Sequence, residues 1–211
     1  MTTRTLLPVM IAACALLFHC SNPQTAGSET TNGISVAVID RSVEVKTEKT
    51  MMISLHAASY LPFKDSGYSA SMLVDSGGSY SFTVPDTGCY NLYARDTAMG
   101  QGALLQNIPV FDSTNGYADS TGFDSLSSLY GVVTFSDTPQ VRAVVYAPGS
   151  PCFDSTDAAG MYSILYVPKG NIRFIAIKQG NKDYGPSILA DTVTAQVPVA
   201  DLRSGLNFVL K

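Results

Sequence analysis

His56 is the first residue to weigh, because an imidazole beside a nucleophile or among other metal ligands often marks a reactive site. It stands in Ser54-Leu55-His56-Ala57-Ala58-Ser59, a strand-like run. A Ser-His-Asp site needs the ring held against a nucleophile and an acid. Zinc sites usually need several His or Cys. Neither pattern surrounds His56, which reads as an ordinary half-buried or surface histidine. Asp154 and Asp157 come next, ahead of Gly160 in FDSTDAAG. They lack the D-x-D-x-D-G order of a calcium loop, and turn chemistry accounts for Asp157. The pair is therefore only a weak metal candidate, and no cofactor is expected. The sequence has no G-x-S-x-G, H-E-x-x-H, C-x-x-C or P-loop pattern. Cys89 and Cys152 complete the set. An exported chain can oxidise its thiols, but Cys89 opens a strand in one half and Cys152 lies in the other. Two free, partly buried thiols are expected, and the chain is read as a non-enzyme.

The elements that frame these residues carry more information. Hydrophobic residues make up 45% of the 211-residue chain and charged residues only 14%, enough apolar content to bury a core. The net charge is −4, and no Lys/Arg cluster offers a footprint for nucleic acid. Trp is absent but Tyr numbers 11, a residue suited to half-buried strands.

Residues 1–20 read MTTRTLLPVMIAACALLFHC: one Arg, a short apolar run, then a cysteine. The run is too short to span a bilayer, which takes about 20 apolar residues, and fits an export signal. A signal ending at a cysteine resembles that of bacterial lipoproteins, in which the thiol is lipidated and the chain is cut just before it. That resemblance puts the lipid on Cys20, preceded by Leu17, Phe18 and His19. It departs from the family at His19, where a small residue is usual. Cys14, after Ile11, Ala12 and Ala13, is the alternative, but it leaves a very short signal. A plain secretory signal without lipid is a third reading. The expected segments are a signal peptide over 1–19 and a flexible tether over 20–32, since residues 21–33 carry Pro, Ser, Thr and Gly and no large apolar side chain.

A repeat organises the rest. In Thr156–Gly170, Asp157 and Gly160 occupy the first and fourth positions of a type I turn. Tyr162, Ile164 and Tyr166 then alternate with period 2. Pro168 and Gly170 close the strand, and Ile172, Phe174 and Ala176 alternate beyond. Val74–Gly88 nearly repeats this with Asp75 and Gly78, then Tyr80, Phe82 and Val84, then Pro85 and Gly88, with Tyr90, Leu92 and Ala94 following. Both copies read as glycine-framed hairpins, offset by about 82 positions, which argues for a duplicated unit. Flanking strand-like runs correspond too: 34–40 and 51–62 match 130–135 and 141–149, and 103–110 matches 187–195. Met51–Ser59 is the one run that could also pass for a short helix. About seven strands per unit with frequent turns is the pattern of an antiparallel sandwich. The expected fold is all-β: a first β-sandwich over 33–112, a linker over 113–126 and a second β-sandwich over 127–211. Tyr117 and Phe123 fall in that linker and Phe111 just ahead of it, and the three could instead contact a partner.

The motif Tyr-x-Pro … Thr-Asp-x-x-Gly-x-Tyr … Pro-x-Gly resembles the carboxypeptidase regulatory-like domain, a transthyretin-like sandwich. Gly131, Tyr146, Pro148, Thr156, Asp157, Gly160, Tyr162, Pro168, Gly170 and Ala176 carry it in the second unit. The first unit is degenerate, with Val74 in place of the Thr. Together with Ser21–Pro23 and Gly27–Gly33, the chain is similar to lipoproteins of fibre-degrading bacteria. The resemblance implies a non-catalytic accessory module, lipid-anchored to the bacterial cell envelope at the outer membrane. Exposed tyrosines such as Tyr93 or Tyr166 would meet a polysaccharide, peptidoglycan or an envelope protein, and the absence of Trp weighs against the polysaccharide, since planar aromatic platforms commonly carry sugar stacking. The alternative is an accessory subunit of an envelope assembly or signalling complex, and an enzyme with an unrecognised site is the remote one. Isopeptide-forming adhesin domains share this general fold, but no partner for Lys46 or Lys49 stands out.

Overall fold

The computed structural model describes residues 32–39, 51–64, 66–74, 78–110, 117–179, 188–197 and 204–211. The expected signal, both candidate lipidation cysteines, most of the tether, the Asp75 turn, Lys46, Lys49 and Phe111 lie outside the described residues. Among those described there is no helix. Met51–Ala57 is a strand, with its branched and apolar side chains facing inward on both sides.

The first half consists of β1 (Asn32–Ile39), β2 (Met51–Ala57), β3 (Ser69–Val74), β4 (Gly78–Val84), β5 (Gly88–Asp96), β6 (Gln101–Val110), β7 (Tyr117–Gly122) and β8 (Asp124–Ser125). The second consists of β9 (Ser127–Phe135), β10 (Thr138–Pro139), β11 (Val144–Tyr146), β12 (Phe153–Ser155), β13 (Met161–Val167), β14 (Gly170–Gln179), β15 (Ile188–Val197), β16 (Ser204–Gly205) and β17 (Phe208–Val209). The two halves share one wiring. One sheet runs β4-β1-β7 in the first half; in the second, β9 lies between β13 and the pair β16 and β17. The opposing sheet runs β3-β2-β5-β6 in the first half and β12-β11-β14-β15 in the second. Two all-β sandwiches therefore follow one another, as the matching flanks imply.

Three expectations change. The repeated segment is not a hairpin: β4 pairs with β1 while β5 pairs with β2, and likewise β13 pairs with β9 while β14 pairs with β11. Each Pro-to-Gly stretch is a corner that carries the chain from one sheet to the other, with Gly88 and Gly170 at positive φ. Period-2 alternation gives a strand's buried face but not its pairing partner. Second, the sandwiches are not purely antiparallel, since β7 runs parallel to β1, and β16 and β17 run parallel to β9. A closing strand arriving by a long crossover from the other sheet is free to pair in this sense. Third, the expected linker over 113–126 contains that closing strand of the first sandwich. Tyr117–Gly122 is too polar to show periodicity, and it joins through backbone pairing. Phe123 is buried in the first core rather than offered to a partner.

The alternating residues fill the cores. Phe82, Val84, Tyr90, Leu92 and Ala94 lie in the first, and Tyr162, Ile164, Ile172, Phe174, Ala176 and Phe208 in the second. The Asp154 and Asp157 carboxylates cap backbone amides. Asp157 Oδ1 accepts from Ala159 (2.8 Å) and Met161 (2.9 Å), and Asp154 accepts from Ser155 and Ser163, each at 2.7 Å. These bonds hold the turn before β13 and cover amides on its open edge. Among the described residues no group of His, Cys, Asp and Glu is placed to hold a metal ion. Cys152 is a free thiol buried in the second core, where burial raises its pKa to about 11. Cys89 is not joined to Cys152.

Candidate functional site

The first sandwich buries both faces of its central strands. Along β5, Tyr90, Leu92 and Ala94 point into its own core, while Asn91, Tyr93 and Arg95 point the other way, toward the second sandwich. Tyr93, expected to be exposed, is 1% accessible and packs within the second core. Its hydroxyl donates to the carbonyl of Tyr166 (2.9 Å), and burial raises its pKa. Asn91 is a polar clasp: Nδ2 donates to the carbonyls of Gly149 (3.0 Å) and Pro148 (3.4 Å), and Oδ1 accepts from the Asn107 amide (2.9 Å). The Gly149 amide donates to the Tyr60 carbonyl (3.0 Å), and Phe63 meets Tyr146 edge-on at 4.9 Å. Tyr60 and Tyr146, the corresponding tyrosines of the two copies, thus both serve the seam.

His56 lies in this seam, 3% accessible, which corrects the half-buried or surface expectation. It follows Ser54 on one face of β2, because residues two apart in a strand share a side. That spacing is the signal in the sequence for a contact that was not foreseen: Nε2 lies 2.9 Å from Ser54 Oγ, which in turn donates to the Tyr93 carbonyl (3.3 Å). The ring stacks at 4.5 Å on Tyr60. Nδ1 has no hydrogen-bond partner, so no carboxylate orients the ring. The pair is sealed from solvent and braces the interface. Desolvation lowers the His56 pKa from 6.5 to about 4. The folded state therefore binds this proton less readily than the unfolded chain. The stabilisation is complete above pH 6.5 and is lost as pH falls toward 4, by up to about 3 kcal/mol. Urea unfolding across that range is expected to show the decline in the wild type, and His56→Leu is expected to remove that part of the slope.

Tyr166 marks the other end of the seam. It continues the row of Tyr162 and Ile164, yet it is exposed, as expected of it: the β13–β9 register slips between Ile164 and Val167, Tyr166 takes φ +60°, and Val167 fills the core. A β-bulge thus turns Tyr166 outward. Left-handed φ is costly for an aromatic residue, and the surroundings hold it there. The Tyr93 hydroxyl fixes its carbonyl, and the Arg95 guanidinium sits over its ring at 5.3 Å. Beside the ring opens a groove of about 410 Å³, walled by Met99 and Gly100 from the β5–β6 turn, Ser125 and Ser128 around β8 and β9, and Leu165 and Tyr166 from β13. Met99, Leu165 and Tyr166 remain 37%, 55% and 39% exposed. The arrangement suits binding: a fixed aromatic plate, apolar neighbours and a polar wall in one concavity.

No family model matches the chain, and none of the curated proteins matches it. Among solved structures, it is similar to the Bacillus anthracis TIE protein, at 10% identity and a TM-score of 0.32, covering 86% of this chain and 34% of that one. The chain thus spans about a third of that protein's length. It is also similar to the shaft pilin SpaA of Lactobacillus rhamnosus GG, at 9% identity and a TM-score of 0.30, covering 86% and 97%. The minor pilin of Streptococcus agalactiae matches at 11% and 0.30, covering 85% and 95%. Likenesses of this size assign neither a family nor an activity.

Proposed function

We propose that the chain is a non-catalytic module of the bacterial cell envelope, anchored by a lipid on Cys20, whose two sandwiches act as one block and present a binding groove at their seam. The observation that carries this reading is the burial of Asn91 and Tyr93 on the outward face of β5. It joins the sandwiches through a packed, hydrogen-bonded interface and so holds the groove preformed. The anchor rests on the lipoprotein-like signal, with the outer membrane as the proposed location. Cys20→Ala is expected to abolish metabolic labelling with a radiolabelled fatty acid, while Cys14→Ala leaves it intact. Loss of label in Cys14→Ala alone would move the anchor to that residue.

A second reading, an accessory subunit of an envelope assembly, has its own support. Tyr130, Met161 and Val209, on adjacent strands β9, β13 and β17, are large apolar side chains left exposed. Co-purification with one envelope protein at fixed stoichiometry, lost in Met161→Asp, would favour it.

A further inference from the structure

We infer that the seam groove takes a neutral glycan, with one face of a sugar ring laid on Tyr166; the inference rests on the binding-module reading above. The groove's own chemistry selects the ligand class. Among the described residues that line it none carries a charged side chain, so these offer a phosphate, carboxylate or ammonium no counter-charge. Lys169 and Asp124, neither of them a lining residue, pair with each other at 3.6 Å. The Arg95 guanidinium lies over the Tyr166 ring at 5.3 Å and is not among the described residues that line the groove. The described lining is amphiphilic: Met99, Leu126, Leu165 and the tyrosine ring are apolar, and Ser125, Ser128 and the backbone at Gly100 are polar. A sugar matches it, with C–H groups on one face and hydroxyls around its rim. The volume of about 410 Å³ lies within the usual range for small-ligand sites.

The aromatic plate is preorganised. Its backbone is held at φ +60° by the bulge, its carbonyl is bonded to Tyr93, and one ring face is covered by Arg95. Ordering a flexible tyrosine on binding would cost affinity, and here that ordering precedes the ligand. An outward aromatic kept in a disfavoured backbone conformation beside a concavity is the pattern in which strain serves recognition.

The test exploits that backbone. In Tyr166→Gly the ring is removed at a position where glycine is favoured, so binding and folding separate. The full-length chain, extracted in detergent, is run in affinity gels containing neutral β-glucan, xylan or mannan, with anionic polygalacturonate as the contrast. Retardation by at least one neutral glycan is expected, reduced about tenfold or more in Tyr166→Gly and largely kept in Tyr166→Phe, with the melting temperature of the glycine variant no lower than wild type. Equal retardation of wild type and Tyr166→Gly overturns the inference, as does preference for the anionic polymer. If no glycan is retained but an envelope protein is captured in a Leu165- and Tyr166-dependent way, the glycan fails and the binding-module reading stands. If neither is bound, both fail.

Discussion

Gly131→Ala is expected to destabilise the second sandwich by about 4 kcal/mol or more, and to do so through its closing strands. Gly131 lies on β9, where β16 gives way to β17 alongside it. A Cβ there would overlap the carbonyl oxygen of Leu206 and lie 2.6 Å from its carbon, with the Tyr162 ring at 3.0 Å. The obstacle is backbone, so no rotamer change relieves it. The strand has to move away, taking with it the Tyr162 hydroxyl bond to the Leu206 carbonyl (2.6 Å) and the burial of Phe208 and Leu210. Each of those side chains contributes about 1.5–3 kcal/mol, against a total stability of about 5–15 kcal/mol for a typical domain. Chemical denaturation measures the loss, and early proteolysis near residue 204 would locate it. Gly205→Ala is the control. Its added Cβ finds nothing closer than the Tyr130 ring at 3.9 Å, and it is expected to change stability by about 0.5 kcal/mol or less. Equal effects of the two substitutions would dispose of the steric explanation.

Tyr93→Ala is expected to cost about 3–5 kcal/mol, the range for deleting a buried aromatic side chain. Its distinguishing effect is on cooperativity. Tyr93 is rooted in the first sandwich and buried in the core of the second, so its loss leaves a cavity in one unit and a slack joint between both. Calorimetry is expected to resolve one unfolding transition in the wild type into two in the variant. Tyr93→Phe keeps the packing and removes only the hydrogen bond to Tyr166, costing about 1 kcal/mol with the single transition retained. A single transition in Tyr93→Ala would mean that the Asn91 clasp and the Phe63–Tyr146 contact hold the seam unaided.

The inward rows were legible because they obey period 2. Tyr162 and Ile164, Ile172 to Ala176, and Tyr90 to Ala94 all point where alternation places them. The common offset between copies was legible as well, since the turn chemistry of Asp157 and Gly160 is local. What stayed hidden were the features set by pairing at a distance. Tyr117–Gly122 enters a sheet with no apolar signal of its own. Tyr93 is compatible with either an exposed or a buried face, and only the neighbouring sandwich decides which. Tyr166 fits the alternation on paper, but a register slip against β9 sets its direction. His56 and Ser54 share a side by simple spacing, yet their burial comes from the second unit. The groove draws on three separate stretches of chain, and no single stretch announces it.

The shared wiring also sets an order of assembly. The first sandwich is complete once residues up to about 125 exist, because β7 and β8 are its last strands. The second must wait for β16 and β17 to reach β9, 75 residues back along the chain, and such distant closures are slow. During that interval the first unit stands finished with Tyr93, Met52 and Leu104 facing water, a sticky sheet surface whose eventual cover has not yet formed. Nascent copies crowded together would adhere through it. A chain cut off after about residue 125 is therefore expected to self-associate through that face, where the complete chain does not.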